Sequence, residues 1–127
     1  MFTQLREYND IGLFLLRLAI AMIFIYHSLP KLKNAKGMGQ GIGMPAAMIW
    51  MLGAGELLSS LGMILGVYTQ LAAVLLGIVM IGAIGMKMMK WGVPFAAMDK
   101  TGWEFDLILL AANGALLLGG GGSIGIQ

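Results

Sequence analysis

The chain has no cysteine and one histidine, and only 11% of its 127 residues are charged. Without cysteine, this chain alone cannot form a disulfide, a thiolate metal site or a thiol redox centre. One histidine cannot supply a multi-histidine metal site or both axial ligands of a bis-histidine haem. We therefore expect no metal and no haem on this chain.

The scarcity of charge is matched by an excess of apolar residues. Hydrophobic side chains make up 59% of the sequence, and the mean hydropathy is +0.88. A soluble domain of this length needs far more polar surface to stay dispersed. The composition predicts a single integral membrane domain over residues 1–127. The charged leader has no small-residue cleavage site after the first apolar run, so a cleaved signal peptide is not expected.

Apolar stretches of nearly uniform length divide the chain. Each is close to the roughly 20 residues that a helix needs to cross a bilayer. They cover about residues 11–29, 45–66, 69–89 and 103–119. We expect Asn9 or Asp10 to cap the first helix, Pro30 to end it and Pro45 to open the second. The predicted fold class is an all-α, integral membrane four-helix bundle, and the GGGGS run after it predicts a flexible tail.

The two halves of the sequence resemble each other. GMPAAM at 43–48 is similar to GVPFAAM at 92–98, and LGAGE is similar to KTGWE a few residues later in each half. Each half is then a helix, a loop and a second helix, related by a pseudo-two-fold axis along the membrane normal. In this duplication Glu56 and Glu104 become equivalent carboxylates.

The distribution of basic residues predicts the orientation. Six lysines lie in or beside the loops at 30–44 and 90–102, whereas the opposite side carries Arg6. Basic loops stay in the cytoplasm, so we expect a multi-pass protein of a prokaryotic inner membrane with both termini outside. Topology and headgroup contacts account for the net charge of +2, and nucleic-acid binding is not expected. The expected partners are the lipid bilayer and either other membrane subunits or further copies of this chain.

Two full charges, Arg17 and Glu56, lie inside apolar stretches. A charge near the middle of a bilayer costs at least a few kcal/mol, so such residues face a bundle interior and mark pairs or sites. Counted inward from Pro30 and Pro45 at about 1.5 Å per residue, they lie roughly 20 and 16 Å deep. An ion pair between them is therefore permitted, as a structural link or as part of a ligand or proton site.

Other polar residues extend this candidate site, although no nucleophile–base pair is visible and catalytic residues stay unassigned. The candidate ligand or proton site comprises Arg17, His27, Glu56, Glu104 and Asn113. The supporting polar residues are Lys31, Ser59, Ser60, Lys87 and Asp106. Histidine titrates near neutral pH, which makes His27 the best proton exchanger, unless it only meets lipid headgroups. Lysines at helix ends also act as membrane anchors, and acids in a first turn also favour the helix dipole.

The order of three motifs carries a family resemblance. The first is RLAIAMIFIYHSLPKL, with Arg17, His27 and Lys31; the second is AGELLSSLGMILGVYTQ, with Glu56; the third is GWEFDLILLAANGALLLGGGGS, with Glu104. In this order and spacing, over nearly the whole chain, they resemble the DoxX family of small four-helix membrane proteins. The resemblance implies quinone-linked redox chemistry, as in the membrane part of thiosulfate:quinone oxidoreductase.

Quinone is accordingly the expected cofactor, and a quinone-linked oxidoreductase subunit with a buried polar site is the leading hypothesis. Two alternatives stay open. One is a non-catalytic accessory subunit, in which the polar residues serve helix packing within a larger complex. The other is a small transporter, which the internal duplication and the buried charges also favour.

Overall fold

The computed structural model describes residues 3–96, 98 and 100–125. Within these residues every element of secondary structure is a helix. Its α-helices are α1 (Asn9–Lys33), α2 (Ala35–Ile42), α3 (Ala46–Leu65), α4 (Thr69–Gly85) and α5 (Trp103–Gly119). A 3-10 helix, Thr3–Tyr8, leads into α1, and a π-helical turn, Met86–Lys90, continues α4. The predicted all-α membrane bundle is confirmed.

Three continuous helical segments in the described residues are long and apolar enough to cross a membrane. They are Thr3–Lys33, Ala46–Leu65 and Thr69–Lys90. With 17 residues, α5 is at the lower limit for a span, and its crossing stays a prediction. Large apolar side chains such as Met22, Leu58 and Ile78 are exposed on the helix surfaces, as expected where a bundle faces lipid.

Helix α1 differs most from its predicted bounds. It continues through Pro30 to Lys33, so the prediction that Pro30 ends the helix is wrong. Proline removes only its own N–H, and its carbonyl still accepts a hydrogen bond from the backbone N of Asn34 at 2.8 Å. At the other end, neither Asn9 nor Asp10 caps the helix, because the preceding 3-10 helix leads directly into it.

The helices pack in two close antiparallel pairs, α1 with α3 and α4 with α5. The two pairs contact each other through α3 and α4. Apolar side chains from all four helices meet in the core, among them Phe24, Met63, Leu76 and Leu116. This pairing follows the two predicted halves, but the halves are not equivalent in detail. Helix α3 starts directly after Pro45, whereas α5 starts nine residues after Pro94 (103 − 94).

The predicted equivalence of Glu56 and Glu104 is therefore wrong. Glu56 lies in the middle of α3 and is 1% exposed, whereas Glu104 is the second residue of α5 and is exposed. The described residues between Pro94 and Trp103 are not helical, which shifts α5 relative to the sequence repeat.

A glycine sets the close approach of α1 to α3. A Cβ atom added at Gly53 would lie 2.8 Å from Lys31 Cβ and 3.2 Å from the Ser28 carbonyl oxygen. Because Gly53 has no side chain, the last turns of α1 rest directly on the backbone of α3. This contact places Lys31 beside the middle of α3.

The glycine-rich segment (residues 120–125) packs against the end of the bundle, so its description as a flexible tail is wrong. Ser123 Oγ donates a 2.6 Å hydrogen bond to Asp10 Oδ2. Arg17 Nη1 donates to the carbonyl oxygens of Gly121 and Ile124. This close contact requires glycine at the end of α3, because a Cβ atom at Gly66 would lie 2.8 Å from the Ile124 carbonyl oxygen.

We expect Gly53→Ala to destabilise the bundle by about 1–3 kcal/mol, because the new methyl group overlaps the α1 backbone and Lys31 Cβ. Gly55→Ala, two residues along the same helix, is the matched control, since nothing lies within 4 Å of its Cβ position. Thermal unfolding in mild detergent measures both. Equal melting temperatures for the two variants would contradict the close contact.

Candidate functional site

Two lysine–carboxylate ion pairs lie near the same end of the bundle. Lys31 Nζ is 2.6 Å from Glu56 Oε1, and Lys87 Nζ is 2.7 Å from Asp106 Oδ2. The carboxylate side chains are 1% and 5% exposed, and the lysine side chains are 18% and 16% exposed. In each helix pair the lysine comes from the end of the first helix and the acid from the second. The two halves therefore share a lysine–carboxylate ion pair, and in this arrangement Asp106 corresponds to Glu56.

A cavity of about 270 Å³ lies between the two ion pairs. Its polar wall is formed by His27, Lys31, Glu56, Lys87, Asp106 and Thr101. Its apolar wall is formed by Ile23, Phe24, Val79, Met80, Ala83, Trp91, Phe105 and Leu109. Apolar walls with a few convergent polar groups are typical of small-molecule sites.

His27 is exposed, as are Trp91 and Thr101, and it is the exposed residue of this site that titrates near neutral pH. Its imidazole ring packs against Phe105 at a centroid distance of 5.7 Å and edge-to-face against Tyr26 at 5.5 Å. The charges of Lys31, Lys87 and Asp106 all act on it. Because it both lines the cavity and reaches the surface, His27 can carry protons between the two.

One oxygen of the Glu56 carboxylate has no hydrogen-bond partner among the described residues. Oε1 accepts from Lys31, whereas Oε2 is buried and has no hydrogen-bond partner among the described residues. Ser59 and Ser60, which were predicted to support the site, do not hydrogen-bond to this carboxylate. Ser60 Oγ donates to the Glu56 main-chain carbonyl at 2.7 Å, and Ser59 lines a different groove, between α3 and α4. A buried, unsatisfied carboxylate oxygen is costly unless a ligand or a proton meets it.

Arg17 lies at the other end of the bundle and does not pair with Glu56. Its Nη1 donates at 3.1 Å to the Gly121 carbonyl and at 2.6 Å to the Ile124 carbonyl. The predicted depths of Arg17 and Glu56 require Pro30 and Pro45 to lie at the same level in the membrane. Instead, Lys31 is level with Gly53. Arg17 precedes Lys31 by 14 residues, which is roughly 21 Å of helix.

Two other candidate residues also lie outside the cavity wall. Asn113 is buried in the core, and its Nδ2 donates to the Leu109 carbonyl one turn earlier at 2.8 Å. Glu104 is exposed in the first turn of α5, where an acid favours the helix dipole. Of the predicted ligand or proton site, His27 and Glu56 line the cavity, whereas Arg17, Glu104 and Asn113 do not.

Three residues that were predicted only to support the site form its ion pairs with Glu56 or with each other. Lys31, Lys87 and Asp106 supply three of the four ion-pair groups. The sequence analysis did not assign Trp91, Thr101 and Phe105 to the site. Trp91 lies one helical turn after Lys87, and Phe105 precedes Asp106, so proximity to the charged residues was the available indication. In the described part of the chain, no three acidic or histidine side chains are grouped closely enough to hold a metal ion.

We expect Glu56→Leu to cost roughly 2–3 kcal/mol, because it leaves the Lys31 ammonium unpaired near apolar groups. The residual exposure of Lys31 keeps this below the cost of breaking a fully buried pair. The double variant Lys31→Met with Glu56→Leu should regain most of the loss, since neither charge is then stranded. Unfolding free energies in detergent test this. Single-variant losses that simply add in the double variant would argue against coupling.

Comparison with known proteins identifies a family and a relative. The DoxX family model matches residues 12–91, which contain the cavity residues from α1, α3, α4 and the π-helical turn. The Bacillus subtilis (strain 168) protein named "Putative oxidoreductase CatD" is 34% identical over 114 residues, which cover 87% of this chain and 81% of that protein. No solved structure matches the chain significantly.

Proposed function

This chain belongs to the DoxX family of multi-pass membrane proteins, and we propose that it is the membrane subunit of a quinone-linked oxidoreductase. The proposed site is the cavity between the ion pairs Lys31–Glu56 and Lys87–Asp106. The name of the Bacillus subtilis relative, an oxidoreductase, supports the reaction class. The observation that carries the proposal is the convergence of two ion pairs and an exposed histidine on one apolar cavity.

The residues of the cavity suit a quinone headgroup. A flat apolar ring with two carbonyl oxygens needs hydrogen-bond donors at its edge and apolar contacts on its faces. The lysine ammonium groups and the imidazole are donors, and Phe24, Phe105 and Leu109 supply apolar walls. The volume of about 270 Å³ lies at the lower end for ligand pockets, which favours one small ring system.

Each polar group then has a defined task. Lys31 and Lys87 donate hydrogen bonds to the ligand's oxygen atoms, and Glu56 and Asp106 orient them and balance their charge. The unpartnered Oε2 of Glu56 accepts or releases a proton inside the cavity. His27 exchanges that proton with the surface, which is the cytoplasmic side if the lysine-rich loops follow the positive-inside rule.

Electrons must come from elsewhere. A quinone supplies an acceptor for two electrons and two protons when it is bound. With no cysteine and one histidine, this chain offers no thiol redox centre and no bis-histidine haem site, and the residues of the cavity serve to hold the quinone and move protons. We propose that a redox subunit bound at the membrane surface, or a directly reducing substrate, delivers the electrons.

We expect Lys31→Met and Lys87→Met each to weaken binding of the short quinone menadione by roughly tenfold or more, the value of about one charged hydrogen bond. Lys33→Met, an exposed lysine on the same helix, should leave binding unchanged. Quenching of tryptophan fluorescence reports binding directly, because Trp91 lines the cavity. Failure of the unaltered protein to bind menadione, or equal affinity in all variants, would refute the site.

Proton delivery has its own test. In membranes that contain the native partners, Glu56→Gln should lower quinone reduction by about two orders of magnitude, the usual scale for loss of a positioned acid or base. The matched control is Glu104→Gln, since that carboxylate is exposed and outside the cavity. Immunoblotting of both variants separates activity from protein level. Quinone reduction that survives Glu56→Gln unchanged would remove Glu56 from the mechanism.

A further inference from the structure

Arg17 carries a buried charge that the quinone site does not use. It is 0% exposed, and only Nη1 donates hydrogen bonds. Nε and Nη2 have no hydrogen-bond partner among the described residues. The Phe14 ring covers the guanidinium with its centroid 5.2 Å from Cζ. The ion pairs of the described residues involve Lys31 and Lys87, so no carboxylate balances Arg17 there. Two guanidinium nitrogens without a hydrogen-bond partner, on a buried cation, point to an anionic ligand.

The guanidinium lies beneath a wide groove at the end of the bundle. This groove, of about 980 Å³, is lined by residues 66–71 and 119–123. A Cβ at Gly66 would lie 3.1 Å from Arg17 Nη1, and a Cβ at Gly121 would lie 3.1 Å from Arg17 Cδ. Both glycines belong to the groove wall, so the Arg17 side chain is separated from it by main chain alone.

An apolar groove of about 340 Å³ continues from this one along the surface between α3 and α4. Its wall is formed by Leu58, Ser59, Gly62, Leu65, Val67, Tyr68, Leu71, Ala72 and Leu75. Val67, Tyr68 and Leu71 line both grooves, so the two grooves are adjacent. The groove at the bundle end has polar side chains such as Thr69, Gln70 and Ser123 in its wall, whereas the wall of the groove between α3 and α4 is mainly apolar.

Tyr68 marks the junction of the two grooves. Its φ is +50°, the left-handed region that side chains other than glycine and asparagine seldom adopt. It lies in the short connection between α3 and α4, and the residue is 79% exposed. Strained backbone of this kind is often found where a ligand is held.

We propose that these grooves bind one anionic phospholipid, with its phosphate on the unused N–H groups of Arg17 and an acyl chain along α3 and α4. The arginine fork matches phosphate oxygens in geometry and charge. Because Arg17 is fully covered, phosphate binding requires the main chain at Gly66 or Gly121 to move aside locally. The site lies at the opposite end from the quinone cavity and does not depend on it.

The test compares two lipids with the same acyl chains, dioleoyl phosphatidylglycerol and dioleoylglycerol, which lacks the phosphate. Native mass spectrometry of the detergent-solubilised protein measures both affinities. We expect phosphatidylglycerol to bind at least roughly tenfold more tightly, and Arg17→Gln to abolish the preference. Equal affinities in the unaltered protein would overturn the proposal. So would displacement of phosphatidylglycerol by inorganic phosphate at an equal concentration, since the ligand would then be free phosphate.

A second pair of variants keeps the test decisive if Arg17→Gln does not fold. Leu75→Trp fills the apolar groove without touching Arg17 and should weaken phosphatidylglycerol binding by about tenfold. Leu61→Trp is the matched control, because Leu61 is exposed to a similar extent, 44% against 46%, and lies outside the groove. Equal binding by these two variants would remove the acyl chain from α3 and α4 and overturn the proposal.

Discussion

The structure depends on the burial of one carboxylate, that of Glu56, in the middle of an apolar helix. Such a group inside a membrane bundle is costly, and a cation beside it offsets much of that cost. Lys31 supplies the cation at 2.6 Å. It reaches Glu56 because α1 continues past Pro30 and because Gly53 lets the two backbones touch. The end of α1 at Lys33, the glycine at position 53 and the Lys31–Glu56 ion pair thus depend on one another.

The two ends of the bundle have separate chemistry. At the lysine-rich end, two ion pairs and His27 surround a small cavity that suits proton-coupled chemistry on a small ligand. At the other end, Arg17 holds the glycine-rich segment and carries N–H groups that face no partner in the described chain. Among the described residues, the buried charges of Arg17, Glu56 and Asp106 thus lie in two separate places.

Hydropathy and turn residues predict the helices well, because burial in lipid and the conformations of proline and glycine are local properties. Helix α3 follows Pro45 and ends before Gly66, and α5 covers Trp103–Gly119, as the apolar stretches indicate. The partner of Glu56 was not predictable in this way, since it depends on how α1 crosses α3. The pairing of Asp106, two residues after Glu104, was missed because the sequence repeat does not reveal where α5 starts. Likewise, glycine content alone does not distinguish a flexible segment from one packed on Arg17.

The central claim is that the ligand binds between the two ion pairs. Photolabelling with an azido-quinone, followed by peptide mapping, tests it most directly. The account predicts that the label attaches to the cavity wall around His27, Trp91 and Phe105, and that excess menadione prevents the labelling. Label confined to the lipid-facing helix surfaces or to residues 66–71, and insensitive to menadione, would contradict it.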